Sequence, residues 1–299
     1  MYVVTGASGN TGSVVADRLL AAGKKVRGIS RSAGRMQSFA QKGGGPFIAE
    51  LTDSAALAKA FTGAEGVYVM IPGDPTRSDF IAHSAAVTEA VATALERSRV
   101  KHVVTLSSVG ADKAEKTGPV VGLHRMEERL NRIPGIKALH LRAAYFMENT
   151  MMQAAMIQRL NMCVGPLLVE LKFPMIATRD IGAAAAEALL HLNFESRETR
   201  ELLGPREITM QEAATIIGRA IGKPDLKYAQ APDDQIRSGM QQMGMSAEMA
   251  GLILEMAAAM NGGHMKALEP RGARNTTPTT YEKFVQEEFL PHYKGSKAA

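Results

Sequence analysis

The amino-terminal half of the chain alternates short apolar runs with segments whose apolar residues recur at helical spacing. The apolar runs predict β-strands, and because polar and apolar residues do not alternate within them, both faces of each strand are expected to be buried. Parallel strands are joined by right-handed crossovers, so the helical segments are expected on both faces of the sheet. The predicted strands are Tyr2–Thr5, Lys25–Ser30, Phe47–Leu51, Gly66–Ile71, His102–Ser107 and Lys137–Arg142, and the predicted helices include Ser13–Ala22, Ala55–Thr62 and Phe80–Ser98. The pattern predicts an α/β protein with a doubly wound parallel sheet.

Helical periodicity dominates the second half and predicts a smaller, helix-rich lobe. The predicted helices there are Asn149–Leu160, Arg179–Leu192 and Thr209–Ile221. Thr209 lies three residues before Glu212, which is the spacing of a capping box. Ser246 is the expected cap of a later helix that carries an apolar face rich in methionine.

The change in pattern also predicts how the chain is divided. Residues 1–149 are expected to form the sheet domain. Residues 150–293 are expected to form a mixed lobe that leans over the carboxyl edge of the sheet, with some elements returning to the sheet. Within that lobe, Gly262–Thr280 has no periodicity and is expected to be a loop. Residues 294–299 are expected to be a disordered or tag-like tail.

Composition places the chain among ordinary globular proteins and excludes several kinds of site. Of its 299 residues, 45% are hydrophobic and 22% are charged. Cys163 is the single cysteine, so a disulfide framework and a cysteine metal site are excluded, and no histidine spacing suggests a metal. No basic leader precedes the first predicted strand, and no apolar run reaches the roughly 18 residues that would span a bilayer. We therefore expect a cytoplasmic protein without a metal and without a membrane anchor.

The basic character of the chain does not by itself identify a partner. The net charge is +5, but the lysines and arginines are dispersed, without a basic run or a helix-turn-helix signal. A solvated basic surface, or attraction of an anionic cofactor, accounts for this charge, so no nucleic-acid partner is expected.

The segment that follows the first predicted strand is rich in glycine and opens a predicted helix. Gly6 permits a tight turn, Gly9 lets a pyrophosphate approach the backbone, and Gly12 allows the helix to pack closely. Free amides and the positive end of the helix dipole suit phosphates, so Ser8, Asn10 and Thr11 join these glycines as candidate contacts. The strand–loop–helix context predicts a dinucleotide-binding Rossmann domain.

The end of the second predicted strand indicates which dinucleotide is preferred. A carboxylate there would bind the ribose hydroxyls of NAD and repel a 2′-phosphate. The chain instead has Arg31 and Ser32, with Arg35 nearby. Arg31 offers a planar donor fork for a phosphate, although it could also be an ordinary solvent-facing arginine. We therefore expect NADP(H), with NAD(H) as the alternative.

Four segments together resemble the NmrA-like family of atypical short-chain dehydrogenases/reductases, and the resemblance extends over nearly the whole chain. The segments are Gly6–Gly12, Leu141–Asn149, where Ala143 replaces the family's proline, Ala177–Gly182 and Leu203–Thr209. Within the family the chain looks most similar to bacterial NAD(P)H-dependent quinone oxidoreductases and triphenylmethane-dye reductases. The resemblance implies dinucleotide binding and reductase activity, although some members of the family bind dinucleotides as sensors.

The resemblance also implies positions for further site residues. Ile71 and Pro72 would face the central part of the cofactor, and Ser107 would lie near the nicotinamide ribose. Standard reductases of this fold use a Tyr-x-x-x-Lys pair, but the lysine position aligns with His124 and the tyrosine position with Val120. The pair is therefore expected to be absent, which disfavours ordinary ketone reduction.

The expected activity is transfer of hydride from NAD(P)H to a quinone-like, dye-like or conjugated acceptor. Such an acceptor becomes a delocalised anion and needs positioning more than a strong acid. His124, Tyr145 and Ser107 are the candidate catalytic residues. His124 could instead be a half-exposed helix residue, Tyr145 a packing aromatic, and Ser107 a hydroxyl that only satisfies backbone groups.

Two further questions are left open by the sequence. The 18 methionines would suit a pocket for flat aromatic guests or would simply fill a helical core. The alternative function is a non-catalytic NADP(H)-binding redox sensor that acts through protein partners. The expected substrate of the reductase is a small aromatic or quinone-like molecule, and the protein is expected to form a homodimer.

Overall fold

A computed structural model describes residues 1–297 of the chain. Its strands are β1 (Tyr2–Thr5), β2 (Val26–Ser30), β3 (Gly45–Ile48), β4 (Gly66–Val69), β5 (His102–Ser108), β6 (Lys137–Ala143), β7 (Tyr145–Phe146), β8 (Cys163–Gly165), β9 (Phe173–Ile176), β10 (Arg197–Leu202), β11 (Glu207–Ile208) and β12 (Tyr228–Gln230). The six strands predicted in the first half are all present, with ends that differ by a few residues.

The helices of the described residues alternate with these strands as far as β6. They are α1 (Asn10–Ala21), α2 (Gln37–Gln41), α3 (Ser54–Phe61), α4 (Phe80–Ser98), α5 (Val120–Asn131), α6 (Gln153–Leu160), α7 (Thr178–His191), α8 (Met210–Ala220), α9 (Asp233–Gln242), α10 (Ala247–Asn261), α11 (Tyr281–Phe284) and α12 (Leu290–Lys297). Short 3₁₀ turns lie at Gly34–Met36 and Met147–Met152, and a π-helical stretch lies at Val285–Phe289.

The main sheet has seven parallel strands in the order β10-β6-β5-β4-β1-β2-β3. This confirms the predicted Rossmann-type, doubly wound fold. The chain runs outward from β1 through β2 and β3, then crosses back to β4 on the other side of β1. Ligands of open α/β sheets bind at such a reversal, outside the carboxyl ends of the strands. The ends of β1 and β4 therefore mark the expected binding edge.

Helices cover both faces of the sheet. Helices α1 and α7 pack together on one face, and α3, α4 and α5 cover the other. The close approach of α1 and α7 depends on Gly182, because a Cβ there would lie 2.6 Å from Cβ of Val14. The second half of the chain thus supplies α7 and strand β10 to the main sheet.

The remainder of the second half forms a separate apolar core that contains strands as well as helices. Two small sheets, β11-β9-β7 and β12-β8, lie beside helices α6, α8 and α11. Thr209 accepts a hydrogen bond from the Glu212 amide at 3.0 Å, but the Glu212 carboxylate pairs with Arg206 instead of completing the capping box. Ser246 caps α10 as predicted, by accepting from the Met249 amide at 3.0 Å.

The carboxyl-terminal segment differs from its prediction. Helix α12 continues to Lys297, so the expectation of a disordered tail is wrong for 294–297, and the last two residues lie outside the described part of the chain. Phe289 and Tyr293 stack at 6.2 Å in the lobe core, which holds this helix in place. The predicted loop Gly262–Thr280 has neither helix nor strand. No helix within residues 1–297 has the length and apolarity needed to cross a membrane.

Candidate functional site

The glycine turn after β1 is formed as its sequence predicts. Gly6 has φ +62°, a left-handed conformation that favours glycine, and its carbonyl accepts from the Gly9 amide at 2.8 Å. A Cβ on Gly12 would lie 2.2 Å from the carbonyl oxygen of Gly6. Helix α1 therefore packs directly against the turn, and it begins at Asn10, three residues before the predicted Ser13.

The amino terminus of α1 is open to a ligand. Gly9 occupies the N-cap position, and within the described residues no side chain caps the helix and no acidic residue lies in its first turn. The first amides of a helix have no intrahelical partner, so they remain available to an anion. Ser8, Gly9 and Asn10 form the exposed rim of the turn. Thr11 is buried, and it accepts a hydrogen bond from the Tyr68 hydroxyl at 3.0 Å.

The end of β2 lies directly beside this turn. The hydroxyls of Ser8 and Ser30 are 3.3 Å apart, and the Ser32 amide donates to the Ser30 hydroxyl at 3.3 Å. Arg31 and Arg35 are both exposed, and neither forms an ion pair with another residue of the 1–297 range. The two predicted phosphate subsites are therefore adjacent.

The segment after β4 closes the turn from the other side. The Met70 amide donates to the Thr5 hydroxyl at 3.1 Å, and a Cβ on Gly6 would lie 3.0 Å from the Met70 sulfur. Ile71 and Pro72 follow and are partly exposed. Both residues thus lie at the reversal point between β1 and β4, where the resemblance to the NmrA-like family places the central part of the cofactor.

Ser107, at the end of β5, belongs to a buried polar cluster that the sequence did not reveal. Its hydroxyl donates to Glu127 of α5, and Arg142 of β6 binds the same carboxylate through Nε at 3.0 Å and Nη2 at 2.6 Å. Ser107 and Glu127 are 1% and 4% exposed. This cluster attaches α5 to the sheet, so the Ser107 hydroxyl is engaged within the protein. Its predicted contact with the ribose stays a prediction.

His124 lies one helical turn before Glu127. Its Nδ1 is 2.9 Å from the carbonyl oxygen of Ala111, and the ring is partly buried. A carbonyl oxygen only accepts hydrogen bonds, so Nδ1 must carry the proton. When the ring is neutral, Nε2 is therefore an acceptor, and it donates only after the ring becomes an imidazolium.

Val120, which the sequence predicts to replace the tyrosine of standard reductases, is covered by methionines. It is 4% exposed and packs with Ala111 and with residues of α10 and the loop after it. The methionines of this cluster are Met256, Met260 and Met265. They lie over Val120 in the amino-terminal turn of α5.

Tyr145 belongs to the lobe core. Its ring meets Phe173 edge-on at 5.3 Å, and its hydroxyl bonds to Asn149. Burial raises the pKa of Tyr145 to about 12, so the phenol stays protonated and can only donate or accept a hydrogen bond at neutral pH. No hydrogen bond links Tyr145 to Ser107 or His124 within the described chain.

Two of the family-like segments, Leu141–Asn149 and Ala177–Gly182, join in space. The Thr178 amide and hydroxyl both donate to Oε1 of Glu148, at 2.8 and 2.6 Å. Asp180 accepts from the Thr279 amide at 2.9 Å and from its hydroxyl at 2.8 Å. These residues therefore connect the lobe to α7. They have structural roles here, and residues 1–297 hold no cluster of three metal-binding side chains.

Comparisons with known proteins agree with this fold. A curated relative from Streptomyces griseus, a (4-alkanoyl-5-oxo-2,5-dihydrofuran-3-yl)methyl phosphate reductase, is 29% identical over 242 residues, which is 80% of each chain. The Escherichia coli NADPH-dependent quinone oxidoreductase QOR2, solved with NADPH, has a TM-score of 0.82 and 22% identity, covering 97% of this chain and all of that one. The Citrobacter sp. triphenylmethane reductase, solved with NADP(H), has a TM-score of 0.79 and 18% identity, with coverage of 97% and 100%.

The two solved structures share the fold, and a family model matches almost the entire chain. That model describes the NmrA-like family and matches residues 2–290. The resemblance carried by the four sequence segments is thereby confirmed. The chain belongs to the NmrA-like family.

Proposed function

We propose that the protein is an NADPH-dependent reductase that transfers hydride to a quinone-like, dye-like or conjugated acceptor. The observation that carries this proposal is the open amino terminus of α1 behind the glycine turn, with Arg31 beside it. Backbone amides at a helix start and an arginine without a partner are the groups that bind pyrophosphate and a 2′-phosphate. NADPH bound there would supply the hydride.

The fit to NADP(H) rests on shape as well as on charge. Because Gly12 has no Cβ, which would lie 2.2 Å from the Gly6 carbonyl oxygen, α1 can begin directly behind the turn that would hold the pyrophosphate. Arg31, Ser32 and Arg35 would hold the 2′-phosphate, and Ile71 with Pro72 would line the central part. The end of β2, at Ser30–Ser32, has no carboxylate, which is the group that would favour NAD(H).

The relatives support reductase activity, whereas the identity of the acceptor has to be determined by experiment. The Streptomyces griseus relative is named a reductase, and the two structural neighbours are named as a quinone oxidoreductase and a dye reductase with NADPH or NADP(H). Hydride transfer to a quinone produces a delocalised anion, which takes its proton from water or from a nearby donor. The Tyr-x-x-x-Lys pair is therefore dispensable for this chemistry.

In this proposal the candidate polar groups form hydrogen bonds or position a helix. Because Nδ1 of His124 donates to the Ala111 carbonyl, Nε2 would accept a hydrogen bond from a ribose hydroxyl, or would supply a proton as an imidazolium. Tyr145 stays protonated and would act as a hydrogen-bond donor. Ser107 would act through Glu127 and the placement of α5.

The test is turnover with purified protein and NADPH across a panel of quinones, triphenylmethane dyes and enals, followed by loss of nicotinamide absorbance. We expect oxidation of NADPH with at least one class. Tight NADPH binding without oxidation by any acceptor would contradict the reductase and favour the redox-sensor alternative. Cofactor binding, measured by calorimetry on the same preparation, separates a missing acceptor from a missing cofactor site.

A further inference from the structure

The helices α9 and α10 form a hairpin, residues 233–261, that reaches from the lobe to two loops of the sheet domain; we call it the lid. Its tip meets the loop between β4 and α4. There the Ser246 amide donates to the Pro75 carbonyl at 2.9 Å, and its hydroxyl donates to the Arg77 carbonyl at 2.6 Å. The lid is thus attached to a loop about 170 residues earlier in the chain.

The amino terminus of α4 is capped by the lid and not by its own N-cap residue. Asp79 makes no capping hydrogen bond, because its carboxylate pairs with Arg77 at 2.7 Å. The amides of Phe80 and Ile81 donate instead to Oε2 and Oε1 of Glu248, each at 3.2 Å. A carboxylate at a helix amino terminus is favoured by the helix dipole as well as by these bonds. Glu248 therefore fastens the lid.

A second attachment joins the lid to the loop between β5 and α5. The Gly118 amide donates to Oε1 of Glu255 at 3.3 Å. Gly118 has φ +60°, and a Cβ there would lie 2.0 Å from the Leu252 carbonyl oxygen. Beside this attachment lies a cavity of about 240 Å³ between α4, the β5–α5 loop, α5 and α10. The cavity interrupts the contact between α10 and the sheet domain at this point, although Ala257 and Ala259 of α10 are buried.

Glycines lie at both ends of α10. Gly244, in the turn between the two helices, has φ +89°, and Gly263, just after α10, has φ +68°. Gly262 precedes it at the helix end. Such positions absorb backbone rotation at hinges. Rotation at these two positions would move α10 within the lid once its polar attachments break.

We propose that the lid is a gate over the acceptor site and that Glu248 on the α4 amino terminus is its latch. This inference rests on the proposed function, because it concerns the same site. The underside of α10 packs on Val120 and Ala111, and the Ala111 carbonyl orients His124. An acceptor that is to reach Val120 or Ala111 would have to displace α10, because both residues are buried beneath it. The methionines on its underside favour flat, apolar acceptors.

The first test measures lid opening without any acceptor. Glu248→Gln keeps the size of the side chain but removes its charge, and a charged hydrogen bond is typically worth about tenfold in an opening equilibrium. We expect amide hydrogen exchange in α10 and at Phe80 and Ile81 to accelerate roughly tenfold, while α1 stays unchanged. Asp233→Asn, an exposed acid of the same hairpin, is the matched control and should leave exchange unchanged. Unchanged exchange in Glu248→Gln would overturn the latch.

The second test distinguishes a gate from a purely structural contact. Association of a small quinone and of a bulky triphenylmethane dye with NADP⁺-loaded protein is followed by stopped-flow absorbance. We expect Glu248→Gln to accelerate dye association several-fold more than quinone association. Equal effects on both would overturn the gate even if exchange in α10 is faster. Association needs no turnover, so a failure of the reductase proposal would appear separately, as binding without NADPH oxidation.

Discussion

The two ends of the binding edge are built by different means. The phosphate end consists of backbone and glycine within residues 5–12, closed by the neighbouring ends of β2 and β4. The proposed acceptor end depends on side-chain contacts between different elements, such as Glu127 with Arg142 and Glu248 with the amide of Phe80. A ligand common to many proteins can be bound by backbone alone. Recognition of one particular acceptor would require specific side chains and the proposed lid.

The same contrast separates the two faces of the sheet. Helices α1 and α7 lie on an apolar face and approach each other through glycine, whereas α5 is fastened to β5 and β6 by buried polar groups. Apolar packing tolerates small shifts, but a buried ion pair fixes one geometry. The acceptor end should therefore be the more sensitive to single substitutions.

Loss of Glu127 is expected to have the largest effect. Glu127→Ala would leave the Arg142 guanidinium buried without its carboxylate, which should lower the free energy of unfolding by about 3 kcal/mol. Denaturant unfolding measures this change. Glu128→Ala is the control, because Glu128 is exposed and its one ion pair within residues 1–297 is with Arg132 at 3.6 Å, so the substitution should cost less than about 0.5 kcal/mol. Similar losses of unfolding free energy in both variants would show that the buried Glu127–Arg142 pair does not attach α5 to the sheet.

Substitution of Gly12 is expected to disrupt the structure of the phosphate end most strongly. Gly12→Ala would force α1 away from the Gly6 carbonyl, and this overpacking should outweigh the higher helix propensity of alanine by about 2 kcal/mol. Gly9→Ala is the matched control, because its Cβ would meet nothing closer than 3.3 Å. Thermal unfolding should separate the two variants. If Gly12→Ala unfolds at the wild-type temperature, the close approach of α1 is not required.

The sequence allowed prediction of the glycine turn because its signals are local. Gly6, Gly9 and Gly12 act within one turn of chain, and each has a backbone reason to be glycine. Strand β10 was missed because Arg197–Leu202 is mostly charged, as suits the edge of a sheet. Glu248 resembles any acid in the first helical turn, and only the fold brings it to α4. Long-range polar contacts leave no periodicity in the sequence.

The predicted preference for NADPH can be tested at Arg31. Arg31→Ala should raise the Kd for NADPH roughly thirtyfold by removing a charged hydrogen bond to the 2′-phosphate, and should leave the Kd for NADH nearly unchanged. Isothermal titration with both nucleotides measures the difference. Lys24→Ala, an exposed site away from the turn, controls for the change in net charge. Equal weakening of both nucleotides would mean that Arg31 does not contact the phosphate.

At the acceptor end, His124→Ala should slow turnover roughly tenfold while the unfolding temperature stays near that of the wild type. The imidazole is partly buried and makes one hydrogen bond to the Ala111 carbonyl, so its loss removes chemistry more than packing. Steady-state kinetics with the best acceptor measures the effect. His124→Lys, which supplies the residue of standard reductases, should recover part of the rate. Unchanged kinetics in His124→Ala would make this histidine an ordinary helix residue.

The smallest expected effect is a pH dependence of the face that carries α5. His140 lies between the Thr105 hydroxyl at 2.8 Å and the Asn131 side-chain oxygen at 3.1 Å, and burial holds the pKa of His140 below its usual value. The unfolded chain therefore takes up the proton first as the pH falls. The stability contributed by neutral His140 is complete above about pH 6.5 and is lost as the pH falls below it.

Denaturant unfolding at about pH 7.5 and about pH 5.5 tests this dependence, because the two values lie on either side of the usual histidine pKa. The wild type should lose more stability between them than His140→Gln, which cannot titrate. His191→Gln, at an exposed histidine, should behave like the wild type. Since Glu127 raises and Arg142 lowers the pKa of His140, Glu127→Ala should enlarge the pH dependence, because the opposing carboxylate is gone. If His140→Gln keeps the pH dependence of the wild type, another group causes the loss of stability at low pH. His140 is then not part of the polar contacts that attach α5.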